Sequence, residues 1–263
     1  MPVVGRGYPS QSTLETLPTP PKVTAIQFDS IGTASFMVNA AGTISWTHNI
    51  SPKATVLFVV VSNVSTHNLT QATCGGKAMT YLPGPTYPNE YLYATNSGLY
   101  GLIDIFYLMN PPTGLQTVTH TTTLTNYVHA NSISYLNCSG FNTGSVNPGY
   151  LSNTTTSTAS ISATAPVGQK ILNVMSYWWN GVGTGNFSSY NQTVRYSPVI
   201  TLSNGNPLLI GEAPGSGSAT TFSANLNNVY AGWGCFALPL YPLVLPEPKV
   251  PTTQVVVSRA GFL

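Results

Sequence analysis

Charge is the scarcest property of this sequence. Of 263 residues only 5% are Asp, Glu, Lys or Arg, against roughly 25% in an ordinary soluble domain. Eight basic and six acidic side chains leave a net charge of +2. Holding nucleic acid by its phosphates takes a basic stripe, and scattered cations do not make one, so no nucleic-acid partner is expected. Cysteine is nearly as scarce. Cys74, Cys138 and Cys235 are odd in number and lack CxxC spacing, which supports neither a disulfide framework nor a zinc site. They read as small buried hydrophobes. Apolar runs stay short: the longest are Val56 to Val61 and the proline-broken Phe236 to Leu245. A membrane helix needs ~20 residues, so no membrane insertion is expected. The opening MPVVGRGYPSQSTLETLPTPPK has no apolar stretch followed by a small-residue cleavage site, so synthesis in a cytosol without a signal peptide is expected. Also missing is any window with apolar residues at i, i+3, i+4 and i+7, the mark of an amphipathic helix.

What the chain does have is hydrophobic and aromatic content, 42% and 11% of residues, too much for charge-driven disorder. Its polar residues are mostly Ser, Thr, Asn and Gly, a surface made soluble by hydroxyls and amides, as in extracellular and virion proteins. Short stretches rich in Val, Ile, Thr, Tyr and Phe recur between Gly, Pro and Asn. They are Val23 to Phe28, Thr43 to Thr47, Thr55 to Ser62, Ala78 to Leu82, Leu99 to Leu108, Gln116 to Thr125 and Ser132 to Asn137. Ala159 to Ala163, Ile171 to Tyr177, Thr193 to Tyr196, Pro207 to Glu212, Ala219 to Ala224 and Val229 to Leu240 follow. Thr55 to Ser62 is apolar nearly throughout and suits a central strand covered on both faces. Roughly thirteen such strands and no fixed repeat predict an all-β chain, an antiparallel β-sandwich of jelly-roll or lectin-like type.

The organisation reads as a proline-rich N-terminal arm (1–22), a sandwich body (23–242) and a C-terminal tail (243–263). Five of the 21 prolines fall in the arm, favouring extended backbone. Ordering such segments costs about 1–2 kcal/mol per residue, so partner contacts are expected to hold them. Tyr8, Leu14, Leu17, Val255, Val257, Phe262 and Leu263 are the candidate anchors. Val255 to Val257 could add a strand to a neighbour's sheet edge. A homo-oligomer, trimer or ring, or docking on another protein, follows as the expectation.

Enzyme chemistry has little to draw on. Glu90, Asp104 and Glu212 are the body carboxylates best placed in sequence to form a glycosidase pair, yet Asp104 lies inside the strand-like LIDIF and reads as a hydrogen-bonded strand acid. His48, His67, His120 and His129 show no HxH or HExxH spacing, so no metal is expected. No GxSxG elbow occurs. The glycine-rich Gly181 to Gly185 is followed by no lysine and no helix pattern, and reads as a loop rather than a phosphate cradle. No catalytic residue and no cofactor are expected. Aromatics are the enriched class with a binding use: Tyr177, Trp178 and Trp179 are the candidate glycan platform, because exposed rings stack on sugars. Tyr81, Tyr87, Tyr91 and Tyr93 crowd a proline-rich loop.

An ordered set of short motifs adds to this reading. It comprises FDSIG (Phe28 to Gly32), ISWTH (Ile44 to His48), the Thr55 to Ser62 strand, CGGKAMT (Cys74 to Thr80) and LMNPPTG (Leu108 to Gly114). NSISY (Asn131 to Tyr135), YNQTVRY (Tyr190 to Tyr196) and LIGEAPG (Leu209 to Gly215) continue it. In that order the body resembles a family of minor tail proteins from long-tailed phages of actinobacteria. The resemblance implies a β-sandwich virion protein, made in the host cytoplasm, at the tail tip or on the head. It supplies no catalytic motif. Other virion proteins and, from the aromatic residues, a host-surface glycan are the partners expected. Capsid decoration, or a carbohydrate-binding or carbohydrate-active module, is the alternative.

Overall fold

The computed structural model describes residues 22–65, 71–82, 92–94, 100–142, 149–151, 158–180, 184–201, 204–227 and 233–246. Every element among them is a β-strand, every pairing is antiparallel, and no helix occurs among the described residues. The all-β sandwich expected from the strand pattern is what the chain forms.

The larger sheet has nine strands built around Gly114–Leu136. On one flank that strand pairs with Ser35–Ile50 and then Gln27–Ile31, on the other with Gln71–Cys74 and then Ala54–Ser65. Tyr100–Met109 continues the sheet beyond Ala54–Ser65. The second sheet has seven strands, with Trp233–Leu245 and Lys170–Tyr177 at its centre and Leu208–Pro214 and Thr193–Tyr196 beyond them. A third sheet of three strands, Thr158–Thr164, Ala219–Leu226 and Phe187–Ser188, covers the far side of the second.

Alternation assigns the cores. Along Ala54–Ser65, Val56, Phe58 and Val60 face the seven-stranded sheet and meet Leu172, Val174, Ile210, Phe236 and Leu238. Leu57, Val59 and Val61 point the other way, into a second core with Trp46, Phe106 and Val118. The run is apolar because both faces are covered. Lys170–Tyr177 is apolar for the same reason: Ile171, Met175 and Tyr177 pack under the third sheet, against Ala159, Ile161 and Phe222. Burying each such side chain contributes about 1.5–3 kcal/mol. Thr158–Thr164 has only one covered face, and its residues alternate strictly between exposed and buried.

Two features refine the sequence reading. The expected pair of sheets carries a third as an extra layer. Gln116 to Thr125 and Ser132 to Asn137 also join into one 23-residue strand. Register shifts between Thr122 and Val128 let it bend without breaking, and polar residues between the two expected strands are used inside the fold. His129, for example, bonds Asn206 O and the Tyr196 hydroxyl, both at 2.8 Å. All three cysteines are free and buried, as expected. Burial pushes the Cys74 and Cys138 thiols up to about 11. At the edge of the second sheet Lys22 pairs with Leu245 and Val23 with Val244, so the sheet's pairing runs from Lys22 to Leu245.

Candidate functional site

The polar cluster with access to water forms where Gln27–Ile31, Ser35–Ile50 and Gly114–Leu136 run side by side. Along Ile44 to Ile50 the even-numbered residues turn inward, which buries Trp46 and His48. Ser132 and Ser134 come up beside them and are fully buried. Trp46 Nε1 donates to Ser132 Oγ at 2.8 Å, and that hydroxyl lies 2.7 Å from His48 Nδ1. On the other ring edge, His48 Nε2 is 2.8 Å from Ser30 Oγ and 3.0 Å from Ser134 Oγ. Ser134 donates to Asp29 Oδ2 at 2.7 Å, and Ser30 to Asn49 O at 2.7 Å.

One tautomer gives each of these donors an acceptor. With the proton on Nε2, His48 donates toward Ser134 and Ser30, while Ser132 accepts from Trp46 and donates to Nδ1. Burial favours that neutral ring: it lowers the His48 pKa to about 4, against the pull of the Asp29 charge. Gly32 is built into the same corner. A Cβ there would meet Ser132 Oγ at 2.6 Å, Asn131 Oδ1 at 2.8 Å and Trp46 Cδ1 at 2.9 Å.

The residues of a serine–histidine–acid site are thus in contact, in a different order. In such a site the acid holds Nδ1 and the serine gives its proton to Nε2. Here Nδ1 meets Ser132, and Asp29 is reached through Ser134 on the Nε2 side. What the arrangement does is fix a carboxylate. Asp29 Oδ2 accepts from Ser134 Oγ and from Ser51 N at 3.1 Å, while Ser30 Oγ, whose proton goes to Asn49 O, lies 3.3 Å away. Its Oδ1 takes no hydrogen bond among the described residues. Asp29 lines an open depression of about 530 Å³ together with Ser30, Asn49, Ser51, Pro52 and Thr113.

The other acids are placed differently. Glu212 Oε1 lies between Lys170 Nζ at 2.6 Å and Arg195 Nη2 at 2.7 Å, with its side chain 3% exposed. The Arg195 guanidinium stacks over Phe28 at 4.0 Å. The Tyr135 hydroxyl is kept protonated, by burial first and by neighbouring Glu212 second. Asp104 is the hydrogen-bonded strand acid that LIDIF suggests, accepting from Asn63 Nδ2 at 3.0 Å and the Tyr81 hydroxyl at 3.3 Å. It lies opposite Val61, on the face of the nine-stranded sheet turned away from Glu212. Asp104 and Glu212 therefore share no cleft, and Glu90 lies outside the described residues.

His129 is fully used by Asn206 and Tyr196, and burial lowers its pKa to about 3. His120 packs against Phe106 with ring centroids 5.9 Å apart and no hydrogen-bond partner among the described residues. Burial lowers its pKa to about 4. Among the described residues no group of three metal-ligating side chains forms. His67, Tyr87 and Tyr91 fall outside the described residues.

The expected glycan platform needs correction. Tyr177 is fully buried under the third sheet, where its hydroxyl donates to Asn227 O at 2.8 Å and Asn186 O at 3.1 Å. Trp178 is 5% exposed and packs edge-on against Tyr127. Both faces of that strand are covered, so alternation brings neither ring to water. Of Trp179 the structure gives only the backbone, paired with Gly205. The expected anchors Tyr8, Leu14, Leu17, Val255, Val257, Phe262 and Leu263 lie outside the described residues.

Asp29, Ser30, Ser132 and Ser134 belong to motifs singled out in the sequence, but no role is legible for them there. The available signal is period two: inward positions of ISWTH carry Trp and His, and those of NSISY carry Ser. Polar residues at inward positions of neighbouring strands must bond one another.

No family model matches the chain, and no curated protein does. Among solved structures, recombinant pro-11S globulin of pumpkin is similar over 86% of this chain and 87% of that chain, at 6% identity and a TM-score of 0.19. So low a score carries no argument.

Proposed function

We propose that the chain is a structural component of a phage virion, a tail or tail-tip subunit that assembles through its two terminal segments. The observation that supports this most is the corner where those segments meet the body. Lys22 pairs with Leu245 and Val23 with Val244, so the two ends of the sandwich body to which the segments attach lie side by side. Around that exit Val23 and Val244 are each 52% exposed and Leu245 is 40% exposed. Apolar side chains left in water at one corner suit contact with a second protein surface. The ordered motif set from FDSIG to LIGEAPG supports the phage setting, and the low charge of the body suits a particle surface. The partners are further copies of this chain and neighbouring virion proteins.

Head decoration is the variant to be separated from a tail position. A density map of the intact particle, with the subunit marked by a fused tag, tests both. Density at the tail or its tip supports the proposal, density on the capsid shell supports decoration, and absence from the purified particle overturns both.

A further inference from the structure

We infer that the depression at Asp29 is a binding site for a neutral saccharide, recognised through sugar hydroxyls that donate to the free Asp29 oxygen. The inference goes beyond the assembly role: a chain that assembles normally and binds no sugar would lose this site alone. Three observations carry it. Asp29 Oδ2 is held by two donors, at 2.7 and 3.1 Å, so the carboxylate is oriented before any ligand arrives. Its Oδ1, without a partner among the described residues, belongs to a side chain lining an open depression of about 530 Å³. Preorganised acceptors lose little on binding, and hydroxyl bonds to a carboxylate are about twice as strong as those between neutral groups.

The second observation is the rest of the lining. Asn49, Ser51 and Thr113 bring hydroxyls and an amide, which both donate and accept. The third is Leu115, 72% exposed and directly opposite Asn49 in the strand register. Side chains opposite each other across a strand pair share a face, so Leu115 and Asn49 stand together, with Pro52 also in the lining. A sugar ring has this dual character, hydroxyls at its rim and a C–H face for packing.

Other ligand classes fit less well. An anion would meet the Asp29 charge. A calcium ion takes six to eight oxygens, usually from several carboxylates, and among the described residues Asp29 is the one acid in this lining. An apolar ligand would leave the carboxylate oxygen and the hydroxyls unpaired.

Saturation-transfer NMR of the full chain with methyl glycosides of common hexoses and pentoses tests the site, with calcium chloride alone as a separate arm. The expected result is transfer to ring protons of at least one glycoside, with a Kd of about a millimolar. Asp29→Asn should abolish it. Because Asp29 also ties three strands together, two exposed-site variants accompany it. Asn49→Ala and Leu115→Ser should keep the wild-type unfolding midpoint and weaken binding about fivefold each, ~1 kcal/mol. No transfer from any glycoside overturns the inference. So do variants that bind like the wild type, or calcium binding that depends on Asp29 while no sugar binds.

Discussion

Glu212 and Asp29 sit in different sheets and are handled in opposite ways. Glu212 has one oxygen between two cations and the other sealed in beside Tyr135, with 3% of its side chain exposed. Asp29 has one oxygen tied by two donors and the other without a hydrogen bond among the described residues, on a side chain that lines an open depression. A charge is costly to bury unless it is paired, and the Lys170–Glu212–Arg195 group meets that demand inside the fold. The Asp29 group is partly solvated and needs no cation, so its bonds fix orientation. The first arrangement locks the seven-stranded sheet; the second presents an acceptor.

Acid should produce the largest effect, and it reaches both regions. In the unfolded chain the histidines take up protons near pH 6.5, whereas the fold keeps His48 and His120 neutral to about pH 4 and His129 to about pH 3. Their folded pKa values are depressed, so as pH falls below 6.5 the unfolded state binds more protons and stability drops, until each folded pKa is passed. On the order of 3 kcal/mol per histidine is at stake, comparable in sum with the whole stability of a domain. Thermal unfolding followed from pH 7 to pH 4 should show a steep fall in midpoint. His48→Gln should flatten the curve partly, and a flat wild-type curve would contradict the burial of these rings.

Glu212→Gln should come next. It leaves Lys170 and Arg195 without their shared anion, a loss of about 3–5 kcal/mol for a fully buried group. The two cations are 17% and 28% exposed, which puts the expected loss near ~3 kcal/mol in urea unfolding. Asp29→Asn, by contrast, should cost about 1–2 kcal/mol, because the amide oxygen still accepts part of the donor set. Equal losses would erase the distinction between the two acids.

An effect comparable with that of Asp29→Asn is expected at Gly32. Its alanine variant forces Ser132, Asn131 and Trp46 apart and should cost about 1–3 kcal/mol, with tryptophan fluorescence shifting as Trp46 moves. Smallest of all, Asn49→Ala is expected to stay within about 0.5 kcal/mol of the wild type. If it destabilises as much as the glycine variant, the wall of the depression is structural.

Much of the fold is legible from period-two patterning. Thr55 to Ser62 announces two covered faces, and Ala159 to Ala163 announces one. The join through Asn126 to Asn131 is not legible, because polar residues that bond across strands look like loop residues when read along the chain. Tyr177 and Trp178 mislead for a related reason: alternation places them on opposite faces, and the third sheet that covers one of those faces comes partly from residues 40 positions away and more. The site is harder still. Asp29 and His48 come together only through registers with Gly114–Leu136, and those depend on where the long strand bends.

In the proposed assembly role the sandwich is a self-sufficient body and the terminal segments are its attachment device. Sedimentation velocity on the full chain and on residues 22–246, run side by side, tests it most directly. An oligomer is expected for the full chain and, for the truncated body, a folded monomer with the same unfolding midpoint. An identical oligomeric state for both would contradict it.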